Sequence, residues 1–214
     1  KNRFVMSAMA TGFPELNGRP NERFIQYLER RAQGEVAMVI VETTGAIDSF
    51  RYNVRTPSIA VDEDIPSWRI LTDRIHQYDC HVCLQLQHPG KQIYDTTSGE
   101  IVSSSAIPQK VTGVIAKPLS IQEIEGYVEA FGQAARRAKE ANFDAVELHA
   151  GHGYLFQQFL SAYANDRTDQ YGGTLENRFR FLKEIIERVQ QYVGKDYPLL
   201  VRMGFTEYVE GGMP

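Results

Sequence analysis

His149 and His152 are the residues of this chain best placed for chemistry. They stand in Glu147-Leu-His-Ala-Gly-His-Gly-Tyr154, where an apolar strand runs out into a glycine-rich turn, and Tyr154 completes a candidate site. Over Asp144–His149 the pattern alternates, so Val146 and Leu148 share one face and Ala145, Glu147 and His149 share the other. The same parity sorts two further strands. Val82, Leu84 and Leu86 leave Cys83 and Gln85 opposite them, and Leu199, Val201 and Met203 leave Arg202 opposite. Gln85, His149 and Arg202 are then expected to converge at one end of the strands. An arginine withdrawn from water without an acidic partner needs an anion or an electron-rich ligand beside it. A glutamine amide offers a donor and an acceptor together, as the edge of an amide-like ring requires. The set suits a planar, polar heterocycle better than a metal ion.

Each residue also has a plainer reading. Arg202 pairs with Glu147, Gln85 is satisfied by neighbouring backbone, His152 caps a turn, and Tyr154 is a core tyrosine with its hydroxyl on a carbonyl. Convergence at one end is what raises the functional reading above these. A metal-dependent hydrolase built on His149, His152 and Glu147 is a competing chemistry, but no third inward histidine or carboxylate at another strand end is evident. A non-catalytic barrel fragment, serving as a binding or assembly module, is the other alternative.

The elements that must position these groups alternate along the chain. Strands are expected at Phe4–Met9, Val36–Thr43, His81–Leu86, Asp144–His149 and Pro198–Met203. Helices are expected at Asn21–Ala32, Trp68–Tyr78, from the capping box Ser120-Ile-Gln-Glu to about Ala141, and at Thr174–Tyr192. The stretch at about 91–118 is rich in Ser, Thr, Gly and Pro and reads as an inserted loop or hairpin. Regular β-α order with right-handed crossovers demands a parallel sheet with helices outside. An open doubly wound sheet would carry a glycine-rich phosphate turn after its first strand, and Met6-Ser-Ala-Met-Ala-Thr-Gly has none. The reading is therefore a single domain over 1–214, an α/β (β/α)8 TIM barrel present as roughly its first five β-α units. The chain stops at Gly211-Gly-Met-Pro214, in the loop after the fifth strand, so about three further units are expected beyond it, and the abrupt start at Lys1 suggests trimming upstream. His149 then stands at the C-terminal mouth, where barrel enzymes do their chemistry.

Composition excludes other classes. The 214 residues are 43% hydrophobic and 23% charged, with a net charge of −4 and no clustered basic stripe, so nucleic acid is not an expected partner. No apolar run approaches the roughly 20 residues of a membrane helix, and no signal peptide is evident. Cys80 and Cys83 form a C-x-x-C without a second cysteine pair, and read as reduced cysteines at the start of a buried strand, in keeping with a reducing, cytoplasmic compartment.

Ala150-Gly-His-Gly-Tyr-Leu-Phe-Gln-Gln-Phe-Leu-Ser161 and Asn165-Asp-Arg-Thr-Asp-Gln-Tyr-Gly-Gly-Thr-Leu-Glu-Asn-Arg178 closely resemble the Old Yellow Enzyme family of flavin oxidoreductases, as do Asn2-Arg-Phe-Val-Met-Ser-Ala-Met9 and Gln85-Leu-Gln-His-Pro-Gly-Lys91. The nearest branch is the bacterial one with 2,4-dienoyl-CoA reductases and NADH:flavin oxidoreductases. The resemblance implies an FMN barrel that takes hydride from NADH or NADPH and delivers it to a small α,β-unsaturated substrate. It places Ala8, Met9 and Ala10 along the flavin through strand-one backbone, Thr43 beside the ring, Gln85 on its pyrimidine edge and Arg202 near its N1–O2 side. It gives His149 and His152 the substrate carbonyl and makes Tyr154 the proton donor to the α-carbon. Relatives often carry Pro at position 8 and Thr or Cys at position 10, and a side chain at the latter tunes the flavin potential, so Ala10 is a departure. The resemblance puts the phosphate grip in loops after strands seven and eight, and any iron–sulfur domain beyond Pro214. Substrate, choice of NADH or NADPH, and oligomeric state, a homo-oligomer included, are left open. The Asn165–Arg178 stretch matches no phosphate loop and reads as scaffold for the active-site loop.

Overall fold

The structure, a computed structural model, describes residues 1–47, 53–93 and 100–213. Its elements are β1 (Val5–Met6), α1 (Glu22–Gln33), β2 (Met38–Gly45), α2 (Ile65–His76), β3 (His81–Gln87), β4 (Val102–Ser103), β5 (Lys117–Pro118), α3 (Ile121–Glu140), β6 (Ala145–Ala150), α4 (Leu155–Leu160), α5 (Leu175–Val193) and β7 (Leu199–Met203). Strands β1, β2, β3, β6 and β7 form one sheet in that order, and every neighbouring pair is parallel. The order never reverses, so the right-handed crossovers put every helix on the same face, as in a barrel and unlike a doubly wound sheet.

The two faces bear this out. Val39, Val41, Val82, Leu84, Val146 and Leu148 pack with helix residues such as Phe24, Leu71, Phe131 and Ile185 in one large core. The opposite face holds a small cluster of strand side chains alone, Ile40, Cys83 and Ala145, with Ala8, Met38 and Leu200 against it. The sheet curls over that inner cluster. An N–H of Arg202 on β7 reaches the carbonyl of Ala8 just past β1 at 3.4 Å, across the sheet's two edge strands. Cys80 and Cys83 are both buried free thiols, and burial, first of all, pushes the Cys83 thiol well above its ordinary range.

Helix starts follow local chemistry. Asn21, Ser120 and Thr174 each accept the backbone N–H three residues on, and Glu123 closes the capping box back onto Ser120. α2 begins at Ile65, earlier than the apolar spacing from Trp68 suggested, after a 3-10 turn at Asp62–Asp64. Pro66 lies in its first turn, where a missing N–H costs nothing.

Three elements differ from expectation. β1 is two residues long rather than Phe4–Met9, because the segment after Met6 leaves the ladder: the Thr11 N–H is taken instead by the carboxylate of Glu42 at 2.7 Å. α4 lies between β6 and α5, and all six of its residues are buried, so it shows no polar face for periodicity to detect. Within the 91–118 insertion β4 and β5 pair in parallel, so they are not the arms of a hairpin; residues 94–99 lie outside the described residues, as does Pro214.

The Asn165–Arg178 stretch is scaffold. The Arg167 guanidinium donates to the carbonyls of Ser104 and Leu119 at 2.9 and 2.7 Å and clamps Asp169, while the Asn165 amide holds the carbonyls of Phe159 and Tyr171 at 2.7 and 2.8 Å. Phe156 and Phe159 of α4 meet Phe131 and Phe181 at ring separations of 4.9, 5.6 and 4.5 Å, which bolts α4 to α3 and α5. Gly172 closes the scaffold loop, and a Cβ there would fall 2.1 Å from the backbone oxygen of Arg167. Backbone cannot swing aside as a side chain can. Gly172→Ala is therefore expected to cost about 2–4 kcal/mol and lower the melting temperature by roughly 5–10 °C, and an unchanged melt would contradict this account of the loop.

Candidate active site

Strand register stacks the inward side chains in layers. At the bottom Ile40, Cys83 and Ala145 pair across β2, β3 and β6 and form an apolar floor. Two residues higher Gln85 pairs with Glu147, and two higher again His149 pairs with Arg202. Gln85, His149 and Arg202 thus converge at the C-terminal end of the strands, as their parity requires.

The polar layers are wired in a particular way. Gln85 is buried and its side-chain N–H donates to Glu147 at 2.6 Å. That bond leaves the Gln85 carbonyl oxygen and its second N–H for another partner. Glu147 therefore does not pair with Arg202, contrary to the plainer reading of that arginine. Among the described residues Arg202 meets no carboxylate at ion-pair distance, only the Ala8 carbonyl. Nor does Glu147 join the two histidines, and among the described residues no three potential ligands gather around a metal position.

His149 ends β6 with its ring 3% exposed. The Gly151 N–H donates to its Nδ1 at 3.3 Å, which puts the ring proton on Nε2, 3.2 Å from Nδ1 of His152. His152 has φ of 56° and Gly153 of 73°, and this left-handed pair folds the exposed His152 ring back beside His149. Tyr154 then caps α4, its ring 5.0 Å from that of His149 and 6.4 Å from that of His152. The three predicted chemical groups are in one cluster.

The remaining predicted residues line the rim. Ala8 is half-buried and Met9 and Ala10 are exposed on the extended segment after β1, rather than on the strand itself. Thr43 is half-buried, its hydroxyl donating to the side-chain oxygen of Gln87 at 3.1 Å. A cavity of about 590 Å³ opens beside His152, walled by Gln92, Gly153, Gln157, Met203 and Phe205. That is within the usual range for a small-molecule site.

Sequence reasoning missed the residues that hold the turn. Gln157 accepts the Gly153 N–H at 2.8 Å and donates to Glu207 at 3.2 Å; Gln158 donates to the Gly153 carbonyl at 2.6 Å and accepts from Ser103 at 2.9 Å. Two adjacent amides inside an apolar run, Leu-Phe-Gln-Gln-Phe-Leu, were the available signal. Glu42, whose carboxyl burial holds above its ordinary range, was missed as the anchor of the Thr11 backbone.

Burial makes this site pH-sensitive. His149 is pushed down to about 3 by burial and then by the nearby charges of His152 and Arg202, and burial and then Arg202 lower His152. His88, just past the end of β3, is pushed down to about 3 by burial. In the unfolded chain these rings titrate near 6.5, above their folded values, so the stabilisation is full above about pH 6.5 and is lost as pH falls toward 3. Unfolding at pH 5 is expected to take up about two protons through His88 and His149, about 1.4 kcal/mol per pH unit for each. Denaturant melts at pH 7, 6 and 5 measure the slope, and His149→Gln should remove about one proton from it.

A curled parallel β/α sheet carries, at its C-terminal end, two histidines whose pKa is lowered, a glutamine amide and an arginine that meets no carboxylate among the described residues. The sequence model of the NADH:flavin oxidoreductase / NADH oxidase family matches residues 1–213, and the chain belongs to that family. It is similar to the NADH oxidase of Thermoanaerobacter brockii, 38% identical over 99% of this chain and 33% of that protein. It is also similar to an NADPH dehydrogenase of Clostridium acetobutylicum, 37% identical over 99% of this chain and 62% of that protein. The solved Old Yellow Enzyme homologue of Zymomonas mobilis superposes with a TM-score of 0.89 at 30% identity, over 99% of this chain and 62% of that one. The fold is accordingly that of part of a (β/α)8 barrel. Among the described residues no helix is long and apolar enough to cross a membrane.

Proposed function

We propose that this chain carries the substrate-polarising half of an FMN-dependent oxidoreductase that uses NADH or NADPH to reduce activated C=C bonds of small molecules. The observation that carries the reading is the layer at the strand ends: a cation without an acid partner among the described residues, paired in register with a histidine kept neutral by burial.

The residues present fit a flavin. Arg202 offers its guanidinium to the N1–O2 side, Gln85 keeps its amide oxygen and second N–H for the pyrimidine edge once Glu147 has taken one N–H, Thr43 stands beside the ring, and the backbone of Ala8, Met9 and Ala10 is open along the rim. FMN, when bound, supplies hydride to the β-carbon of the alkene. His149 and His152 donate to the substrate's carbonyl oxygen, where negative charge develops; both are neutral near pH 7, and neutral imidazoles keep an N–H for this purpose without needing to lose a proton. The His149 Nε2 proton, turned toward His152 in this structure, is the one that an entering oxygen captures. Tyr154 gives the proton to the α-carbon, its phenol O–H serving as the acid against a developing carbanion. The α4 amides and the aromatic bolt hold Tyr154 and His152 in place.

The test is an absorption spectrum of the purified protein with FMN added, followed by anaerobic titration with NADH and NADPH. A bound flavin band that bleaches with either nucleotide and recovers with an enone supports the reading. Absence of any flavin uptake sinks it.

A further inference from the structure

Gln87 is one inward step above Gln85 on β3 and is 1% exposed. Its side-chain oxygen accepts from Thr43, yet its side-chain nitrogen is buried with no hydrogen-bond partner among the described residues. A buried donor left unmade costs about 1–3 kcal/mol, so its retention at a site calls for a ligand atom that meets it. In this structure the amide oxygen faces the Thr43 hydroxyl, so the N–H pair faces away from it. Register then gives the level. β3 and β6 pair Gln85 with Glu147 and Leu86 with Leu148, so Gln87 continues to the level of His149, on the neighbouring strand and with the same inward parity. Gln85 sits a layer deeper, about 6–7 Å along the strand. By register the unmet donor belongs to the layer of the group that holds the substrate oxygen, one layer above the amide assigned to the cofactor.

We infer that Gln87 is a specificity-determining residue that donates its side-chain N–H to a second acceptor oxygen on the bound substrate, so that the site favours alkenes flanked by two acceptor groups, such as cyclic imides, over those with one carbonyl. This rests on the reading of the site as an alkene reductase. A site built to satisfy a polar group discriminates strongly against the analogue that lacks it, because the protein group is then buried unpaired.

The experiment compares two saturated, unreactive rings that differ by one carbonyl, succinimide and 2-pyrrolidinone, binding to the FMN-loaded protein by calorimetry. The wild type is expected to bind succinimide at least about tenfold more tightly. Gln87→Met, nearly the same shape without the donor, should bring the two affinities within threefold while FMN affinity holds. Among reactive pairs, kcat/KM for maleimide over 2-cyclopentenone should fall by the same factor. A wild-type preference under threefold overturns the inference whether or not the variant folds. A preference that survives in Gln87→Met also overturns it, as does a variant that loses FMN affinity, which would put the amide on the cofactor. If the wild type binds 2-pyrrolidinone and FMN but shows no preference, only this inference falls. If it takes up no FMN, the underlying reading falls and this inference with it.

Discussion

Replacing His149 with leucine is expected to slow reoxidation of the reduced enzyme by an enone about 10²–10³-fold, the usual loss when one preorganised donor to a developing oxyanion is removed. The leucine keeps an apolar group packed against Tyr154 and His152, whose rings stand 5.0 Å away, so the loss reports the donor more than the packing. Dioxygen gives the control. Its reduction does not need a polarised carbonyl, so the ratio of enone to dioxygen rates, measured by stopped-flow, should collapse. A variant slowed equally with both acceptors would mean that His149 matters to the cofactor and not to the substrate.

Arg202 is the second large effect. It has no acidic partner among the described residues, and its neighbours in the layer are neutral. A full charge a few ångströms from a group that becomes anionic is worth roughly 1–3 kcal/mol after screening. Arg202→Met should therefore weaken binding of reduced FMN relative to oxidised FMN by about 10–100-fold. For a two-electron couple that lowers the midpoint by about 30–60 mV. The potential is read by equilibration with a dye of known midpoint. A midpoint that stays in place would show that Arg202 serves the Ala8 backbone alone.

Much of this site was legible because strand parity is a hard constraint. Val82, Leu84 and Leu86 cannot face the helices unless Gln85 faces the other way, and the same logic turned His149 and Arg202 inward. What parity cannot give is the partner of each inward group. Glu147 was a plausible mate for Arg202 from the sequence, and register assigns it to Gln85 instead. Local signals also fail where an element has no exposed side. α4 lacks a polar face, so its amides read as interruptions and not as the struts of the His152–Tyr154 turn. β1 failed for another reason: its strand-like sequence continues, but the hydrogen-bond partner past Met6 is a side chain thirty-one residues away, on Glu42.

The contact between Arg202 and Ala8 has a consequence in time. Its two ends are 194 residues apart in the chain, and both border the proposed flavin position. At about 5–20 residues per second, a ribosome needs roughly 10–40 s to add the arginine after the alanine has been made. Late in that interval a nascent chain holds Gln85 and His149, but not the cation opposite them. The proposed flavin site is therefore incomplete until nearly all of this stretch has been synthesised.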